Sequence, residues 1–135
     1  MIVKKAEDLV ESKFHVRAAL WSSLRLLCQA DGMGFTITDT CLSPGHEVTL
    51  RYKHHLEACY CLEGEAVVED MSTGEVHEIR PGTIYALNDH DHHRLRARTK
   101  VRLICVFTPA LLGDEIHDAS GSYAVAEAPS QIAAD

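Results

Sequence analysis

Short stretches in which apolar and polar residues alternate, separated by turns rich in glycine and proline, are the dominant pattern along this chain. The clearest runs from Phe35 to Leu42, where a period of two places Thr36, Thr38 and Thr40 on one face. In the stretch from Gly45 to Gly64 the same parity groups Glu57 with Cys59 and Cys61, opposite Ala58, Tyr60 and Leu62. Glu63-Gly64 predicts a hairpin turn, with Glu65 to Glu69 returning from it. Met71 to Gly74 predicts the next turn and Glu75 to Ile79 the next strand. Arg80-Pro81-Gly82 turns again, before Thr83 to Leu87. After a loop over Asn88 to His92, the strand His93 to Ala97 sets His93, Leu95 and Ala97 against Arg94 and Arg96, so His93 points inward and His92 outward. In Val101 to Phe107, the alternate residues Val101, Leu103, Cys105 and Phe107 share one side.

The flanks carry weaker signals. Met1 to Val3 predicts a short strand and Ala6 to Ser12 one or two helical turns, while Trp21 to Cys28 alternates poorly between its bounding loops. Trp21 reads as a core residue or buried anchor, which leaves Arg25, four residues on, in solvent. Leu111 to Tyr123 is a polar, glycine-containing segment able to close over the mouth of a barrel. Ala124 to Asp135 is alanine-rich without apolar period and is expected to be a disordered tail. Many short strands at a spacing of roughly 8–12 residues predict an all-β sandwich or barrel. At 135 residues the chain is one domain.

A net charge of −7 disfavours nucleic acid and anionic membranes as partners. No apolar run approaches the roughly 20 residues of a membrane span, and no signal peptide is expected ahead of Lys4 and Lys5. Five cysteines, an odd number scattered through strand-like segments, suit free thiols in a reducing compartment, so the expected location is cytoplasmic.

A lone carboxylate among Ala, Cys, Tyr and Leu is costly to bury unless something pairs with it, and Glu57 is such a group. Glu57, Tyr85 and His93 lie in separate strands and can converge inside a barrel. A carboxylate, a phenol oxygen and an imidazole together suit iron or manganese, with zinc also possible. Tyr85 can equally be a core tyrosine with a satisfied hydroxyl, and His93 a buried, hydrogen-bonded histidine. The runs His54-His55 and His90-Asp91-His92-His93 look like metal-binding tracts, although most of these side chains suit solvated loops. Cys59 and Cys61 read as small core residues, since no second pair completes a zinc set.

The opening stretch resembles the first cupin motif, with Arg51 and Lys53 where the general pattern has histidines and Glu57 as the retained acid. Pro81-Gly82 followed by Tyr85 resembles the second motif, with tyrosine replacing its histidine. A narrower resemblance covers residues 1 to about 123. Gly32-Met33-Gly34-Phe35, His55 to Cys61, Pro81 to Leu87, His93 to Ala97 and Val106-Phe107 through His117-Asp118 are similar to the ectoine synthase family. That resemblance implies a single-domain cupin, a double-stranded β-helix or jelly-roll barrel with short helices and a C-terminal lid over 109–123. It implies iron, most readily Fe2+, held by residues matching Glu57, Tyr85 and His93. The implied substrate contacts match Trp21, Arg25, Thr40, Tyr52, Cys105, Phe107, Glu115 and His117, with Glu115 and His117 also handling protons. Thr38 stands where the family can carry asparagine. The implied reaction is a hydro-lyase ring closure of N-γ-acetyl-L-2,4-diaminobutyrate to the compatible solute ectoine, in a homodimer. Two other readings fit the same residues: a metallocupin acting on a related amide or amidine, and a non-catalytic cupin that binds a small zwitterion.

Overall fold

The computed structural model describes residues 1–125. Ten strands follow one helical turn, α1 (Ala6–Leu9): β1 (His15–Arg17), β2 (Trp21–Leu27), β3 (Thr36–Leu42), β4 (Glu47–Leu50), β5 (Leu56–Glu63), β6 (Ala66–Asp70), β7 (Val76–Ile79), β8 (Ile84–Leu87), β9 (His93–Ala97) and β10 (Val101–Thr108). They form two antiparallel sheets. One has six strands in the order β1-β2-β3-β10-β5-β8, the other four in the order β4-β9-β6-β7. The inner faces of the two sheets pack on one another around a single core, as in a jelly roll.

Alternation decides which residues enter that core. In β10, Val101, Leu103, Cys105 and Phe107 are all buried, as their parity predicts. The outward positions between them take partners of their own: Arg102 donates from Nε and Nη2 to the two oxygens of Asp39 on β3, at 2.9 and 2.7 Å. In β2 the inward positions are Trp21, Ser23 and Arg25, while Leu24 and Leu26 face outward. Its alternation is therefore present but inverted in polarity, and hydropathy alone could not read it.

Several expectations change here. Met1 to Val3 is not a strand, and its side chains are exposed. Arg25 is not solvated: it is 1% exposed. The Glu63-Gly64 turn is not a hairpin, because β5 pairs with β10 and β8 whereas β6 pairs with β7 and β9. The turn is a corner that carries the chain from one sheet to the other. Glycine is required at it: Gly64 has φ +87°, and a Cβ there would lie 1.9 Å from the Lys100 carbonyl oxygen. Strands β1 and β4 carry too little alternation to be read from sequence. The expected tail falls, from residue 126 onward, outside the described residues.

After β10 the chain crosses the open end of the barrel without regular structure and is tied down along its length. The Leu111 amide donates to Thr36 Oγ1 at 2.8 Å, the Arg51 amide to the Gly121 carbonyl at 3.0 Å, and the Lys53 amide to Ser122 Oγ at 3.1 Å. Tyr123 ends buried against Tyr52 and Phe107.

Candidate active site

Strand register assembles the site. Across the inner face of the six-stranded sheet, Arg25 lies opposite Thr38, Thr38 opposite Cys105, Cys105 opposite Cys59, and Cys59 opposite Tyr85. One row of five polar or polarisable side chains thus crosses the sheet. Neighbouring rows place Ser23 beside Thr40, and Phe107 beside Glu57. The four-stranded sheet faces them with Val48, Leu50 and Leu95, and at the end of that wall stands His93. A cavity of about 60 Å³ lies between the sheets.

Glu57, Tyr85 and His93 all line this cavity, as do Trp21, Thr40, Tyr52, Cys105, Phe107 and His117. The residues expected to form a site are thus brought together, with two exceptions. Glu115 does not line the cavity. Its carboxylate accepts from the backbone amides of Leu112 and Gly113, each at 2.7 Å, and so holds its own loop in place. Arg25 sits behind the wall: Nε donates to Ser23 Oγ at 3.0 Å, and Nη2 to the Glu115 carbonyl at 3.0 Å and to Tyr123 Oη at 3.3 Å. Its Nη1 is buried without a partner. No described carboxylate pairs with this cation.

Glu57 is the complementary case. It is 7% exposed, and no described cationic side chain forms an ion pair with it. Burial raises its pKa from 4.5 to about 7, against the smaller lowering effect of hydrogen bonds from the Cys59 and Cys105 thiols. Tyr85 is pushed well above its ordinary value by burial, then by the neighbouring Cys59. At His93, burial lowers the pKa, so the ring is neutral near pH 7. Its Nδ1 lies 2.9 Å from the Asp91 carbonyl, which can only accept. The proton must therefore sit on Nδ1, which leaves the Nε2 lone pair free. These are the traits of a metal ligand set: a buried carboxylate without a counter-charge, a tyrosine oxygen and an imidazole fixed in one tautomer.

His117 reaches the cavity from the C-terminal segment. Its Nε2 is 2.8 Å from Tyr52 Oη, and its ring stacks on Tyr123 with centroids 4.5 Å apart. Burial, and then the positive charge of Arg25, lower its pKa to about 4, so it is neutral at ordinary pH.

Sequence reasoning missed Tyr123, which closes the cavity and meets Arg25, because the segment before it has no period. It also placed Cys59 in the core only as packing. The signal was there in its parity with Glu57. Most histidines of the two runs were expected in solvated loops, and His55 is one that is not: it is 1% exposed, and neither ring nitrogen has a partner among the described residues. The other expectation about the cysteines holds: all five are free.

Comparison with known proteins agrees with this geometry. The family model for ectoine synthase matches residues 1–127. An L-ectoine synthase from Oceanobacillus iheyensis is 48% identical over 123 residues, covering 91% of this chain and 96% of that protein. The crystal structure of ectoine synthase from P. lautus superposes with a TM-score of 0.83 at 45% identity, over 96% of this chain and 94% of that one. An RmlC-like cupin from Shewanella frigidimarina shares the fold at 20% identity and a TM-score of 0.59, over 70% of this chain and 81% of its own. No described helix is long and apolar enough to cross a membrane. With its cupin barrel and a match running through nearly its whole length, the chain belongs to the ectoine synthase family.

Proposed function

We propose that this cavity closes N-γ-acetyl-L-2,4-diaminobutyrate into ectoine with loss of water, and that Glu57, Tyr85 and His93 would hold an iron ion there. The observation that carries this reading is Glu57: a buried carboxylate with only thiol partners, lining the same cavity as an imidazole whose Nε2 is free. When bound, the metal supplies Lewis acidity toward the acetamide carbonyl, otherwise a poor electrophile for the α-amine.

The protein's own groups do the rest. Arg25, a buried cation with one unpartnered nitrogen, lies behind the cavity wall under the segment that carries Glu115 and Tyr123, and takes the substrate carboxylate once that segment opens. Trp21 and Phe107 supply apolar walls that fold the flexible chain toward its cyclic shape. Thr40 and Tyr52 orient the polar ends, and Cys105 lines the wall between them. His117, neutral and hydrogen bonded to Tyr52, is placed to accept the proton that leaves the attacking amine. Glu115 acts at one remove, since it braces the loop whose carbonyl receives Arg25.

Residues 109–123 serve as a lid. His117 and Tyr123 line the cavity from this segment, so its movement would open the cavity to substrate. The outer face of the six-stranded sheet, with Leu56, Tyr60, Leu62 and Ile84 exposed, supports a homodimer. The reading is tested by incubating the iron-loaded chain with N-γ-acetyl-L-2,4-diaminobutyrate and following the product by NMR. Ectoine is expected. Free diaminobutyrate, released by hydrolysis, would overturn the assignment.

A further inference from the structure

Two thiols in the cavity have no part in the proposed reaction as sulfur donors. Cys59 and Cys105 stand directly opposite one another across β5 and β10, and Glu57 shares their face. All three are buried and line the cavity. One ligand atom from each lies within 4.8 Å of the other two. Donors on a single tetrahedral zinc lie roughly 3.5–4 Å apart, given Zn–S near 2.3 Å and Zn–O near 2.1 Å. The cluster therefore needs little closing to hold an ion.

The ordinary reading of a buried cysteine is a small core residue, and Cys28 and Cys61 fit it. The Cys61 thiol donates to the carbonyls of Glu63 and Gly64, and that of Cys28 to the Arg25 carbonyl. Cys59 and Cys105 differ. Their partners are each other, the Glu57 carboxylate and the Tyr85 hydroxyl, all potential ligands lining the same cavity.

We propose that Glu57, Cys59 and Cys105 form a second, sulfur-rich seat for a thiophilic divalent cation such as zinc or cadmium, exclusive with the seat of Glu57, Tyr85 and His93. Soft thiolates select such ions, whereas the oxygen and nitrogen set suits iron. The entering ion displaces the two thiol protons to solvent, and its charge is met by the carboxylate and two thiolates. Because Glu57 belongs to both seats, one ion excludes the other, and a thiophilic metal inhibits by displacing iron. The proposal rests on the iron reading only through that shared carboxylate.

Cadmium added to the full chain after dialysis against a chelator tests it. One equivalent is expected to bind with a sulfur-to-cadmium charge-transfer band and a 113Cd NMR shift typical of two sulfur ligands. Cys59→Ser and Cys105→Ser should each weaken binding at least tenfold, while His93→Ala should leave it within twofold. Cadmium bound without the band, or with NMR showing only oxygen and nitrogen ligands, overturns the proposal. The NMR reading on the unmodified chain decides the matter even if a serine variant fails to fold. A chain that binds cadmium through sulfur but takes up no iron sustains this proposal and sinks the iron reading. Iron uptake without sulfur–cadmium signals does the reverse.

Discussion

The two sheets of this barrel are built by the same rule and share one core, but only one of them also buries charge. Both are antiparallel and alternate inward and outward residues. The four-stranded sheet turns Val48, Leu50, Ala66, Val68, Ile79, Leu95 and Ala97 toward the core, with His93 at its end. The six-stranded sheet turns in Leu42, Leu103 and Phe107 too, but beside them, on the same kind of pleat, Ser23, Arg25, Thr38, Thr40, Glu57, Cys59 and Tyr85. Burying those groups costs stability unless each finds a partner, and the least satisfied of them are Glu57 and Arg25. Function is therefore sought on the six-stranded sheet, which shares the apolar core but alone adds a buried carboxylate and a buried guanidinium to it.

Substitutions separate the two contributions. Glu57→Ala and His93→Ala should empty the metal seat and lower turnover on the order of 10³-fold or more, the several kcal/mol that a Lewis acid supplies; iron analysis and a ring-closure assay check both. On the apolar sheet, Ile79→Ala should cost about 3 kcal/mol of stability and leave iron stoichiometry unchanged, as chemical denaturation and metal analysis would show. If Ile79→Ala released iron from folded protein, the division between the sheets would fail. Arg25→Met should raise KM about 100-fold, equivalent to roughly 2.7 kcal/mol, and should also lower the melting temperature, because Ser23, the Glu115 carbonyl and Tyr123 each lose a hydrogen bond worth about 1 kcal/mol.

The smallest effect concerns pH. The native His117 pKa of about 4 lies below its ordinary 6.5, so between those values the unfolded chain binds more protons than the native one. Its contribution is present above pH 6.5 and is lost as the pH falls toward 4. The loss should amount to about 2 kcal/mol after allowance for partial exposure. His117→Asn should flatten that part of the pH–stability profile, and an unchanged slope would mean that His117 is not held neutral.

Much of this was legible in the sequence, for physical reasons. Parity alone placed His93 inward and set Glu57, Cys59 and Cys61 on one buried face, because one shift of register would reverse every side chain. Strand β2 was obscure because its inward residues are Trp21, Ser23 and Arg25, so the apolar stripe lies on the wrong side for a hydropathy reading. His55 and Tyr123 were hidden for another reason: each lies outside a strand and is buried by tertiary packing that has no period. The corner at Gly64 looked like a hairpin since both need a glycine at positive φ, and only the pairing of β5 with β10 tells them apart.

On the proposed reading, the polar face of the six-stranded sheet, completed by His93, holds a metal that ring closure requires. The most direct measurement follows ectoine formation by the same preparation as isolated, after complete removal of metal, and after iron is restored. The rate is expected to collapse on removal and to return with iron in proportion to occupancy. Undiminished cyclisation by fully metal-free protein would contradict it.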